Sequence, residues 1–275
     1  MAESDATCEE QLLKVVAKYI DIVREGLDER WKSIANELYE PESQEVIGSL
    51  LARQATLTIQ LACAPQIWNG HIAPLILRCM TDAHITLAWI LKDPIDRAKR
   101  YILYGLGQEK LYIEHLKAGK TSGEESEVDQ LIEVREGWLN SQRHDALTEV
   151  DVGAWSGMNT RDMAKEAGCT SLYNYAYLPF SGVVHSMWQH IALYNLKQCR
   201  NPLHKFHRVP TIAEAPLTPD FVYTSSKYVS RSYRVVDEKF ALSCKTPYPM
   251  DWLSDELDKL SETLGGVKKE GEKRQ

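Results

Sequence analysis

The chain has 275 residues, 44% of them hydrophobic and 26% charged, with a formal net charge of −7. That length and apolar share are ample for a buried core, which excludes an intrinsically disordered chain. The mild acidity gives no global attraction to nucleic acid and leaves only a local basic patch for that purpose.

Helical periodicity runs through most of the sequence and strand alternation is nearly absent, so the pattern predicts an all-α, multi-helix bundle with two nearly fully buried central helices. The first helix is expected from about Thr7 to Tyr39, bent near Gly26, with Leu12, Val15, Val16, Tyr19, Ile20 and Val23 as its apolar stripe. Pro41 punctuates it, Ser43 is the N-cap candidate of a second helix, and Pro65 with Asn69-Gly70 ends that one. A third helix opens near Ala73, with Pro74 in its first turn, and closes near Lys92. Asp93-Pro94 starts a fourth, to about Lys117, because proline at the first helical position costs no hydrogen bond. A fifth, Glu127 to about Arg143, carries Leu131, Val134, Trp138 and Leu139 on one side. Residues 144–158 read as irregular. Asn159 then caps a short helix ended by Gly168. The next helix spans Ser171 to Cys199, with a kink at Pro179. Residues 200–219 hold four prolines and read as a loop. Helices from Thr218 to about Leu242 and from Asp251 to Leu264 follow. Residues 1–199 are thus the main bundle, 200–219 the Pro-rich loop, 220–264 helices packing back onto the bundle, and 265–275 a disordered tail.

The most apolar window, Ile72 to Leu91, is interrupted by Arg78, Asp82 and His84, so a core helix is expected there and no membrane span. The first residues lack the basic and apolar regions of a signal peptide. The six cysteines form no CxxC pair, which fits a reducing, cytoplasmic setting.

Polar groups inside the apolar helices are the site candidates. Arg78 and Asp82 lie four apart on one helix face and need partners if buried. Tyr177, Ser181, His185 and Gln189 recur every four residues and form a polar stripe on an otherwise apolar helix. His185 is the acid–base candidate among them. Glu109 occupies an apolar seam of the fourth helix. No HExxH, ExxH, DxDxDG, GxSxG, Walker or GxGxxG pattern is present, so no metal and no cofactor is expected, and no motif declares an enzyme.

The run LRCMTDAHITLAWILKDPIDRAKRY, Leu77 to Tyr101, and the run YNYAYLPFSGVVHSMW, Tyr173 to Trp188, together resemble a bacterial family of helical proteins catalogued as domain of unknown function 5677. The resemblance covers roughly Leu50 to Leu196, and Asp82 stands where that family leads one to expect Glu. It implies a helical fold in which Arg78, Asp82, Tyr177, Ser181 and His185 belong together. It implies no reaction; helical families of related appearance sit among bacterial antiviral and toxin systems, which points to defence.

Two function classes follow. One is a binding or regulatory protein that takes a small molecule or protein partner in a polar interhelical pocket, with His185, Arg78, Asp82 and Ser181 as its chemistry and Tyr177, Glu109 and Gln189 as its lining. The other rests on RNPLHKFH, whose Arg200 and His207 resemble the Arg–His motif of HEPN ribonucleases; the resemblance implies metal-independent cleavage of RNA, with His as acid–base and Arg holding the phosphate. The length of the first helix's stripe further predicts a homodimer.

Overall fold

The computed structural model describes residues 2–34, 40–120, 125–142, 153–212 and 214–272. It is an all-α helical bundle with one two-stranded β-hairpin. The helices are α1 (Ala2–Ser33), α2 (Pro41–Ala62), α3 (Ala73–Ile90), α4 (Pro94–Ala118), α5 (Glu125–Asn140), α6 (Thr160–Glu166), α7 (Thr170–Leu172), α8 (Leu178–Val184), α9 (Trp188–Tyr194), α10 (Asp220–Phe240) and α11 (Pro249–Glu272). Strands β1 (Leu196–Gln198) and β2 (Arg208–Pro210) pair antiparallel between α9 and α10.

The centre is made by α2, α3 and α10, which pack mutually. Ile47, Leu51 and Leu61 of α2, Leu77, Met80, Ile85, Leu87 and Ile90 of α3, and Val229, Tyr233 and Val236 of α10 are buried there. Around it, α1 lies on α2 and α11, α4 on α2, and α6 and α8 on α3. Of the two helices expected at the centre, α3 is there; the other central position belongs to α10. Ser225, Ser226, Ser230 and Ser232 are buried on α10 and let backbones approach. Three of the hydroxyls are satisfied locally, Ser225 donating to Val222 O at 2.7 Å, Ser226 to Tyr223 O at 2.7 Å and Ser232 to Tyr228 O at 3.1 Å, while Ser230 Oγ accepts from Met250 N–H at 2.8 Å. A buried hydroxyl chain crosses the bundle, with Tyr19 Oη 2.7 Å from Thr58 Oγ1 and Thr58 Oγ1 2.8 Å from Ser225 Oγ.

Several expectations need correction. The first helix runs unbroken through Gly26, where a Cβ would stand 3.0 Å from the Tyr233 ring, so the glycine permits close packing there. One turn on, the fully buried Arg30 pairs with Asp237 at 2.7 Å between the rings of Tyr233 and Tyr248. Residues 35–39, where that helix was expected to end, lie outside the described residues, as do 143–152 of the irregular stretch. Ser43 is buried in the first turn of α2, and Glu40 holds the cap position. On α5 the buried face is Ile132 and Leu139, packed on Leu106 and Ile113 of α4, while Leu131, Val134 and Trp138 are exposed. The Pro-rich loop contains β2, too short for its alternation to register. The last helix continues to Glu272 instead of giving way at residue 265, although Gly265, Gly266 and Gly271, poor helix formers, lie in that stretch.

The largest departure is in residues 171–199. They form no single helix. Leu178 N–H bonds Tyr173 O in a π-turn over Tyr173–Tyr177, which widens the helix ahead of Pro179 and leaves Pro179 in the first turn of α8. The chain then breaks at His185 and Ser186, whose φ of 49° leaves the helical region, and restarts as α9. Much of this segment faces solvent, including Val184, Met187, Trp188 and Leu193.

Candidate functional site

The π-turn and α8 lie along α3. That contact brings Arg78 against residues about a hundred positions further along the chain. Arg78 Nε donates to Ser181 Oγ at 2.7 Å, and Nη1 pairs with Asp82 one turn along α3. The guanidinium carbon lies 3.3 Å from the centroid of the Tyr177 ring, a stacked cation–π arrangement. Tyr177 stacks in turn on Tyr173, with ring centroids 4.8 Å apart and planes at 20°. Arg78 is therefore fixed from three sides by a ring, a hydroxyl and a carboxylate.

The site lies at the edge of the bundle. The Arg78 side chain is 11% exposed and that of Asp82 46%. Partial burial raises the pKa of the Asp82 carboxyl, and the Arg78 cation works in the opposite direction. The Ser181 hydroxyl donates to Tyr177 O at 2.7 Å and accepts from Arg78, so its proton is committed to a carbonyl. That is the bonding of a positioning hydroxyl and differs from that of an activated nucleophile, which would donate to a base. Arg78 Nη2 makes no hydrogen bond among the described residues. The arrangement offers a rigid, flat cation with an open donor, suited to holding a carboxylate, phosphate or carbonyl oxygen.

The residues singled out from sequence divide into three places. Arg78, Asp82, Tyr177 and Ser181 come together. His185 follows on the same segment, with its N–H bonded to Ser181 O at 2.9 Å, but its side chain is exposed at the end of α8. Gln189 is exposed on α9, and its Nε2 reaches to 3.0 Å from where a Cβ on Gly182 would stand. The four-residue stripe thus holds for Tyr177 and Ser181 and breaks at His185, because the helix itself breaks there. Glu109 sits apart on α4, 2.7 Å from Arg135 of α5. Arg200 and His207 are exposed on the β1–β2 hairpin and not at a helix start.

The hairpin also gathers residues that helical spacing gave no reason to group. Donor atoms of Cys199, His204 and His207 all lie within 4.8 Å of one another, which among the described residues makes a metal-sized cluster. The signal in the sequence was C-x4-H-x2-H, legible only once residues 196–210 are known to turn back on themselves.

No curated protein and no solved structure matches the chain. Residues 44–201, more than half of its length, match a family described as being of unknown function, DUF5677. That span includes both runs carrying the Arg78 cluster, and the chain belongs to the DUF5677 family.

Proposed function

We propose that this protein is a helical binding or regulatory module, and that its ligand is held at the α3–α8 edge by Arg78, with Asp82, Ser181 and Tyr177 fixing that side chain. The observation carrying this reading is the Arg78 guanidinium itself, stacked at 3.3 Å on Tyr177, bonded at 2.7 Å to Ser181, and paired with a half-exposed Asp82. Fixing a long side chain in advance removes part of the ordering cost of binding. Exposed Tyr175 and Trp188 on the flanking segment supply flat apolar surface of the kind found in recognition sites. Gln189 and His185 complete the rim, and Glu109 is not part of it. A cytoplasmic setting and a role in bacterial antiviral defence belong to the proposal too, supported by the family resemblance and by no feature of the site. So does a homodimer, supported by the exposure of Leu13 and Trp31 on α1.

The test is a thermal-shift screen of the full chain against small carboxylates, nucleotides and phosphopeptides. A ligand at 100 times its Kd stabilises the folded state by about 2.7 kcal/mol. The shift should vanish in Arg78→Lys, which keeps the charge but loses the Nε bond and the stacked plane. Ligands that shift wild type and Arg78→Lys equally would move the site elsewhere.

The ribonuclease alternative has one observation in its favour: Arg200, His204, Lys205, His207 and Arg208 are all exposed on one hairpin, a basic tip on an acidic chain. Cleavage of RNA in chelator, lost in Arg200→Ala and His207→Ala, would replace the binding reading with it.

A further inference from the structure

The β1–β2 hairpin has little to hold it together by ordinary means. Its strands are three residues each, and Leu203 and Phe206 at its tip are 86% and 96% exposed. A two-stranded hairpin without a packed face is marginal in water. Its side chains converge all the same. Cys199 directly follows and His207 directly precedes the paired Gln198 and Arg208, and Cys199 N–H bonds His207 O at 2.9 Å, so the two stand opposite each other at the turn end of the strands. The intervening turn folds back until His204 Nδ1 is 3.8 Å from Cys199 Sγ and its ring centroid 5.4 Å from that of His207. The Asn201 side chain lies 3.2 Å from His204 Nε2, which keeps Nδ1 on the Cys199 side. Gln198 Nε2 donates to Lys205 O at 2.8 Å and secures the turn from behind.

We propose that Cys199, His204 and His207 form a divalent metal site of the zinc class, one thiolate and two imidazoles. With bonds of about 2.3 Å to sulfur and 2.0–2.1 Å to nitrogen, tetrahedral ligands lie roughly 3.3–3.8 Å apart. The Cys199–His204 pair is already at 3.8 Å, and the rest close from within 4.8 Å by side-chain rotation. The donor set, one soft sulfur and two borderline nitrogens, favours zinc, cobalt or copper over magnesium or calcium. Binding replaces the Cys199 thiol proton, which passes to solvent, and takes both imidazoles in their neutral form. A fourth position remains for water or an external donor. The metal staples the turn and fixes the presentation of Leu203 and Phe206. This site is independent of the Arg78 reading, and a metal-bound His207 has no lone pair left for the acid–base work of the ribonuclease alternative.

The experiment uses the tag-free full chain, stripped with chelator and titrated with cobalt(II), then competed with zinc(II). The expected result is one cobalt per chain, with a thiolate-to-cobalt charge-transfer band and the intense visible bands of tetrahedral cobalt, both bleached by zinc. Cys199→Ser should remove the charge-transfer band. Loss of a ligand should weaken binding at least as much as loss of an outer-shell partner, roughly 10-fold or more, in Cys199→Ser, His204→Gln and His207→Gln alike. Cys63→Ser, at an exposed thiol elsewhere, and His190→Gln, in the His71–His190 ring pair, should bind like wild type. All five positions lie off the central core, so far-ultraviolet circular dichroism should be unchanged throughout. No cobalt bound at micromolar protein, a band that survives Cys199→Ser, or wild-type affinity in both histidine variants would overturn the site.

Discussion

His84 is buried on α3 against α10, with Nδ1 3.0 Å from Ser232 Oγ. Ser232 gives its own proton to Tyr228 O, so the ring nitrogen is the donor. Burial, with Arg231 adding to it, lowers its pKa to about 4. Below the ordinary value of 6.5 the unfolded chain takes up a proton that the folded chain refuses, so stability falls as pH drops from 6.5 and levels off below about 4. Fully developed, the loss is on the order of 3 kcal/mol. Urea midpoints between pH 6.5 and 5, above the range where carboxylates begin to protonate, should therefore decline in wild type and stay flatter in His84→Gln. Equal slopes would remove His84 as the cause. Residue by residue, four-residue spacing on an apolar helix put Arg78 and Asp82 side by side, and the structure pairs them. The same spacing singled out His185 for acid–base work, because periodicity cannot reveal that a helix ends at His185 and leaves that side chain in solvent.

At the scale of elements, punctuation was legible and continuity was not. Asn159 caps α6 by accepting from Asp162 N–H at 3.0 Å, Gly168 takes a φ of +76° after it, and Pro94 opens α4. Each is fixed by backbone chemistry within a few residues of itself. The breakup of residues 171–199 was hidden because the π-turn lies where the chain packs on α3, and because the stop at Ser186 is a left-handed turn, with Met187 N–H bonded to Gly182 O at 2.8 Å, that lacks the glycine usually marking one. A comparable stop occurs at Ala241, which ends α10 with a φ of 51°, its neighbour Leu242 donating to Asp237 O at 2.9 Å. An L-residue there carries a left-handed penalty of about 1–2 kcal/mol, partly offset by the extra unfolded-state entropy of glycine. Ala241→Gly should raise stability by roughly 0.5–1 kcal/mol in chemical denaturation. A destabilised variant would mean that the cap is held by something other than its dihedral.

For the molecule as a whole, the helical class followed from periodicity, but the order of burial did not. The segment running DFVYTSSKYVSRSYRVVDEKF reads as amphipathic with a wide polar face, and its serines count as surface in any hydrophobic pattern. In the structure they are contact points: Ser225, Ser226 and Ser232 donate to carbonyls of their own helix, so that these small groups let α10 pack against both α2 and α3 with their hydroxyls bonded. The family match, residues 44–201, stops short of this helix. The recognisable unit of descent and the unit that folds are therefore different lengths of chain. Residues 44–201 produced alone would expose the faces of Leu51, Leu61 and Leu77 that α1 and α10 help to cover. Such a fragment should bind a hydrophobic dye and unfold without a cooperative transition, where the full chain does neither; a sharp melt from 44–201 would show the opposite. The matched span thus carries the Arg78 cluster, while the helix that packs on both α2 and α3 is drawn in this chain from outside it.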